Sequence, residues 1–123
     1  MVISCSKESI FLPDTVLTDL EITQTNTPTA VPRLQPIVTT VHMTAPNLCY
    51  RFSHFQVAQL NPLLYQINAK ATIPNPDKNN AVCLPTVYQK DTTLSLQTTV
   101  AGKYVLRFFN GTQLFKVDTV VVN

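Results

Sequence analysis

The chain has 123 residues, room for one domain with a real core and too few for two of ordinary size. Hydrophobic residues make up 45% of it and charged ones only 13%, with a net charge of +2, a balance that excludes a disordered, coiled-coil or nucleic-acid-binding chain. Only two glycines are present, Gly102 and Gly111, too few for phosphate-cradling loops, which excludes nucleotide enzymes.

Residues 1–12 are expected to be a disordered N-terminal segment, and 13–123 a single domain. Threonine, valine, isoleucine and aromatics recur in short runs, punctuated about every ten residues by Pro, Asn and Asp, the spacing of an antiparallel sandwich with about seven strands. From Val16 to Thr25 a strand puts Val16, Thr18, Leu20 and Ile22 on one face and Asp19 and Glu21 on the other. A loop with Pro28, Pro32 and Pro36 follows, too rich in proline for a central ladder. Ile37 to Thr44 turns Ile37, Thr39, Val41 and Met43 inward and His42 outward. Asn47 to Leu60 is a longer strand. Tyr50, Phe52 and His54 share one side of it and Phe55 and Val57 the other, so a bulge or bend is expected. Leu64 to Ile73 is the cleanest alternation in the chain, with Ile67, Ala69, Ala71 and Ile73 on one face.

Pro74 to Asp91 reads as a long connection, and long connections in compact domains usually carry function or local order. Thr92 to Thr98 is a short strand with Leu94 and Leu96 inward. Asn110-Gly111 between two apolar runs signals a two-residue hairpin in which both central residues take positive φ. The register expected from it sets Phe109 opposite Thr112, Leu106 opposite Phe115, Tyr104 opposite Val117 and Lys103 opposite Asp118. Asn110-Gly-Thr112 also matches an N-glycosylation acceptor, but the turn already accounts for Asn-Gly.

The nine basic residues are scattered along the chain and form no patch in sequence, so a nucleic-acid or anionic-membrane surface is set aside, although strands can bring distant charges together. Apolar runs fall far short of the roughly 20 residues that cross a bilayer. Val2-Ile3-Ser4-Cys5 resembles the end of a bacterial lipoprotein signal peptide, in which the cysteine becomes the lipidated first residue. The resemblance implies that Cys5 is a lipid anchor, that the sequence as written lacks its apolar leader, and that the address is exported. The alternative is a free thiol in a frayed terminus. Export would let Cys49 and Cys83 oxidise, and a disulfide between them would stabilise the fold by about 3 to 4 kcal/mol. The other reading of Cys49 and Cys83 is two buried thiols. No metal-ligand spacing is present, and His42 and His54 lie far apart, so no metal or other cofactor is expected.

The run Thr99-Val-Ala-Gly-Lys-Tyr-Val-Leu-Arg-Phe108 resembles the start of the sixth strand of immunoglobulin-like sandwiches, which implies that Tyr104, preceded by Gly102, makes a structural corner by bonding back to the backbone. There is no tryptophan, and neither interior cysteine stands where the antibody-type bridge would. With Ser4-Cys5-Ser6-Lys7, the two interior cysteines, Gly102-Lys103-Tyr104 and Asn110-Gly111, the chain resembles small immunoglobulin-like lipoproteins of Bacteroidetes-type Gram-negative bacteria. That resemblance implies an all-β, immunoglobulin-like antiparallel sandwich at the cell envelope, outer-membrane-anchored or periplasmic.

Catalysis needs a nucleophile, a base and orienting groups brought together, and the acidic residues here are spread thinly over outward and turn positions. His54 beside Cys49 or a serine could imitate a nucleophile pair, but no elbow motif supports it. The chain therefore reads as a non-catalytic interaction domain. It is expected to touch a protein or glycan through its long loop, with Tyr88 exposed there and Asp77 and Lys90 beside it, and to meet a membrane only through the N-terminal lipid. The alternative is a structural accessory subunit of an outer-membrane transport or secretion complex.

Overall fold

The computed structural model describes residues 12–78 and 81–123. Expectations for residues 1–11, Cys5 among them, lie outside the described residues. The domain is an all-β, immunoglobulin-like sandwich of two packed sheets. Its strands are β1 (Thr15–Asp19), β2 (Glu21–Asn26), β3 (Ala30–Val31), β4 (Ile37–Ala45), β5 (Arg51–Asn61), β6 (Leu64–Pro74), β7 (Tyr88–Leu96), β8 (Gly102–Asn110) and β9 (Gln113–Val122). One sheet has the order β2-β4-β7. The other runs β5-β6-β8-β9-β3, with β1 sharing the β8 side of β6: β8 pairs Leu64 to Asn68 and β1 pairs Lys70 to Pro74.

Alternation drives the assembly. On β4 Ile37, Thr39, Val41 and Met43 are buried, and on β6 Tyr65, Ile67, Ala69 and Ala71 are. With Leu106 and Phe108 of β8 and Val120 and Val122 of β9 they form one core, in which each fully buried aliphatic or phenyl side chain contributes about 1.5–3 kcal/mol. Burial pushes the Tyr65 phenol above its usual pKa, with a smaller contribution from Tyr104, against which it stacks at 6.3 Å between ring centroids.

Several expectations are refined by the third dimension. The first strand has the expected facing but is divided. Leu20 N still donates to Ala69 O (3.0 Å), and beyond it the chain crosses to the second sheet as β2, so one amphipathic run serves both layers. With the two-residue β3 hidden in the proline-rich loop, this raises the strand number from about seven to nine among the described residues. The sandwich is not wholly antiparallel, because β6–β8 and β3–β9 are parallel pairs.

The bulge expected in the fifth strand lies between Phe52 and His54, so Phe52 joins Phe55 and Val57 on the inner side and only His54 turns out. The seventh strand begins at Tyr88, which shortens the long connection.

The β8–β9 register also differs. Leu106 faces Asp118, Tyr104 faces Val120 and Lys103 faces Val121. Gly111 takes φ +62° and Thr112 does not take a positive φ, so the turn centres one residue later than Asn110-Gly111. Asn110 is instead occupied with β2: its Oδ1 accepts from Ile22 N (2.7 Å) and its Nδ2 donates to Ile22 O (3.1 Å). The side chain thereby mimics a ladder partner.

At the other end of β8, the buried Tyr104 donates its hydroxyl to Val100 O (2.8 Å), the backward bond of a tyrosine corner. Gly102 has φ +151°, and a Cβ there would meet Leu63 Cδ1 at 3.1 Å, so a side chain at this position is both strained and crowded.

Candidate functional site

The richest relief lies where β4 hands over to β5 and β6 to β7. A disulfide joins Cys49 to Cys83, closing a separation of 34 residues with the Cα atoms 5.3 Å apart. Leu48 N donates to Leu84 O (3.1 Å), and Cys49 N to Asn47 Oδ1 (2.9 Å). The far side of the loop is pinned by the buried Asn75. Its N donates to Asp14 O (2.9 Å), its Nδ2 to Pro13 O (3.0 Å), and its Oδ1 accepts from Asp77 N (3.0 Å). Lys78 adds an ion pair to Asp14 that holds this carboxyl below the usual carboxylate range, chiefly through the hydrogen bond and then through charge. A connection of this length is thus held at both ends.

Two clefts share Tyr50 as a common wall. The first, about 320 Å³, is bounded by the disulfide, Ile73, Pro74, Pro76 and Asn47. The second, about 390 Å³, is bounded by Asp19, Glu21, Thr44, Pro46 and Val87. Asp19 is tied to Lys70 at 2.7 Å, whereas Glu21 stands exposed. The two clefts combine aromatic, proline and aliphatic surface with a few polar groups.

The expected loop residues are not brought together here. Tyr88 is not exposed. It opens β7, lies half-buried against the core and accepts a hydrogen bond from Phe52 N (3.0 Å), because the strand starts before the loop was expected to end. Asp77 sits in the turn after Asn75, and Lys90 lies on β7 opposite Met43. None of the three lines either cleft. Tyr50, Asn47 and Glu21 went unrecognised as a group, and nothing in their spacing marks them, since they converge only through the crossover at Leu20 and the disulfide.

No known family model, curated protein or solved structure matches the chain.

A third cleft, about 330 Å³, lies on the outer face of the three-stranded sheet around His42. His42 Nδ1 meets Asp91 Oδ1 at 2.7 Å and Nε2 meets the Asn26 amide at 3.3 Å, so the carboxylate fixes the proton on Nδ1 and Nε2 accepts. That is a base with its orienting acid, but an amide stands where a nucleophile's hydroxyl would be. His54 is exposed, with its Nδ1 2.8 Å from Ser53 Oγ, and Cys49 is consumed in the disulfide. Among the described residues no cluster of three or more His, Cys, Asp or Glu could hold a metal ion.

Proposed function

We propose that the chain is a non-catalytic, envelope-anchored binding domain of the immunoglobulin-like lipoprotein kind, tethered through Cys5, that takes a protein or glycan at the Tyr50 end of the sandwich. The observation that carries this reading is the pair of clefts sharing Tyr50, built on segments held by a disulfide and by the Asn75 hydrogen bonds. Such pinning lowers the entropy lost on binding, which a mobile loop would have to supply.

Surface plasmon resonance against purified envelope polysaccharides and purified envelope proteins tests the site. Binding by the parent domain that Tyr50→Ala and Glu21→Gln abolish supports it. Equal binding by Tyr50→Ala removes it. Anchoring is tested separately, by the mass of the protein recovered from a Gram-negative host: the acylated mass should vanish in Cys5→Ala.

The second reading, an accessory subunit of an outer-membrane transport or secretion complex, draws on the edge of β5, which among the described residues pairs only with β6. A neighbouring chain could extend the larger sheet there.

A further inference from the structure

In a sandwich with one face of each sheet in water, outward side chains are normally polar. The outer face of the β2-β4-β7 sheet obeys this apart from Val38, with Gln24, Asn26, Thr40, His42 and Thr44 among its residues. The outer face of the larger sheet does not. On β9, the side chains of Val117 and Val121 point away from the core, as their partners Arg107 and Lys103 show, and are 45% and 46% exposed. Next to the hairpin turn Leu114 and Phe115 are exposed as well, at 51% and 39%, at a bulge opposite Phe108 and Phe109. On the same face Leu17 of β1, which pairs Thr72 on the β8 side of β6, is 56% exposed. Leu114, Phe115 and Val117 lie within four residues of β9, and apolar side chains exposed this close together on a weakly charged domain call for a partner.

Charge identifies the kind of partner. The register places Arg107 beside Val117, Lys103 beside Val121, and Arg51 across Thr72 from Leu17, so three cations far apart in sequence lie on this one face. Its only strand carboxylate among the described residues is Asp19, already tied to Lys70. A second copy apposed through the same face would set cation against cation. A bilayer asks for no matching shape, only apolar groups that can enter the headgroup boundary and cations that meet its charge.

We propose that the outer face of the β5-β6-β8-β9 sheet lies on an anionic lipid bilayer, with Leu114, Phe115 and Val117 entering the interface and Arg107, Lys103 and Arg51 meeting the lipid phosphates. The surface acts in addition to any N-terminal lipid and sets how the domain lies on the membrane.

The test uses protein carrying Cys5→Ala, so that no N-terminal acyl chain contributes and failure of the anchor reading stays separate from failure of this one. It is sedimented with phosphatidylcholine vesicles containing about 30% phosphatidylglycerol, in about 0.1 M salt. Binding should appear, weaken as salt rises, and be absent from pure phosphatidylcholine. Arg107→Glu and Arg51→Glu, on separate strands so that misfolding of one does not decide the matter, should each weaken it at least about five-fold. Val117→Asp should do likewise, while Lys90→Glu, which reverses a cation on another face, leaves binding unchanged.

The proposal is overturned by no binding to the anionic vesicles, or by folded Arg107→Glu and Val117→Asp proteins that bind like the parent. Binding to immobilised polyglutamate without vesicle binding also overturns it, in favour of an acidic protein partner.

Discussion

The two flanks of the sandwich are closed by different means. Where β2 meets β8 and β9, polar side chains reach across the gap. Asn110 clamps both backbone groups of Ile22, and Thr25 and Thr27 each donate a hydroxyl to Asp118 Oδ2, at 2.7 and 2.6 Å. Lys116 adds a bond to Thr25 O (3.2 Å) and stands 3.4 Å from Asp118 Oδ1. The Asp118 side chain is only 10% exposed, so this carboxylate, expected on the surface, is an interior strut. Where β5 meets β7, two edge strands run out from a common end. The disulfide ties the segments just before them, and Phe52 N donates to Tyr88 Oη a little further on.

Beyond that point neither edge has a further strand partner among the described residues, and Lys90, on the inward parity of β7, is exposed. An inward-pointing charge on an edge strand discourages another strand from adding there. Hydrophobic burial brings the layers together without direction. The flank that seals is the one whose strands carry polar groups aimed inward.

If this contrast is right, the largest loss should come from the sealed flank. Asp118→Ala leaves two threonine hydroxyls without their charged acceptor and Lys116 without its counter-charge, and urea unfolding should show a loss of about 3–5 kcal/mol. A loss under about 1 kcal/mol would mean that the seam contributes little. Next in size is the covalent clasp of the open flank: the Cys49→Ser, Cys83→Ser double variant should lose about 3–4 kcal/mol, measured in the same way.

Tyr88→Phe removes a single hydrogen bond and should cost about 1 kcal/mol. Were it to cost as much as Asp118→Ala, the flanks would be equivalent and the contrast would fail. Lys90→Val should change stability least, within about 0.5 kcal/mol, but promote association through the bare edge. Light scattering after size exclusion would detect it. A variant that stays monomeric at high concentration would show that something other than Lys90 protects the edge.

Period-2 alternation was enough to place the inward faces of β4 and β6, because a strand buried on one side must repeat its apolar residues every second position. The start of β7 was not legible. Tyr88-Gln89-Lys90-Asp91 has the composition of a loop, and only pairing with β4 and the bond from Phe52 make it a strand. The candidate site was still less visible, since Tyr50 and Glu21 meet through a change of sheet at Leu20 that no local pattern announces. The hairpin was correctly located, but Asn110 was committed to β2 rather than to its own turn, which moved the register.

The amino-acid sequence by itself determined that this chain builds strands, that they stack in two layers, and where most of the core lies, because these follow from the spacing of apolar side chains along a single strand. Tertiary structure alone decided that Asp118 is interior, that the two flanks differ, and that Arg51, Lys103 and Arg107 share one apolar face. Strand order and register set those relations, and both depend on contacts between residues far apart in the chain, which composition and local period do not encode.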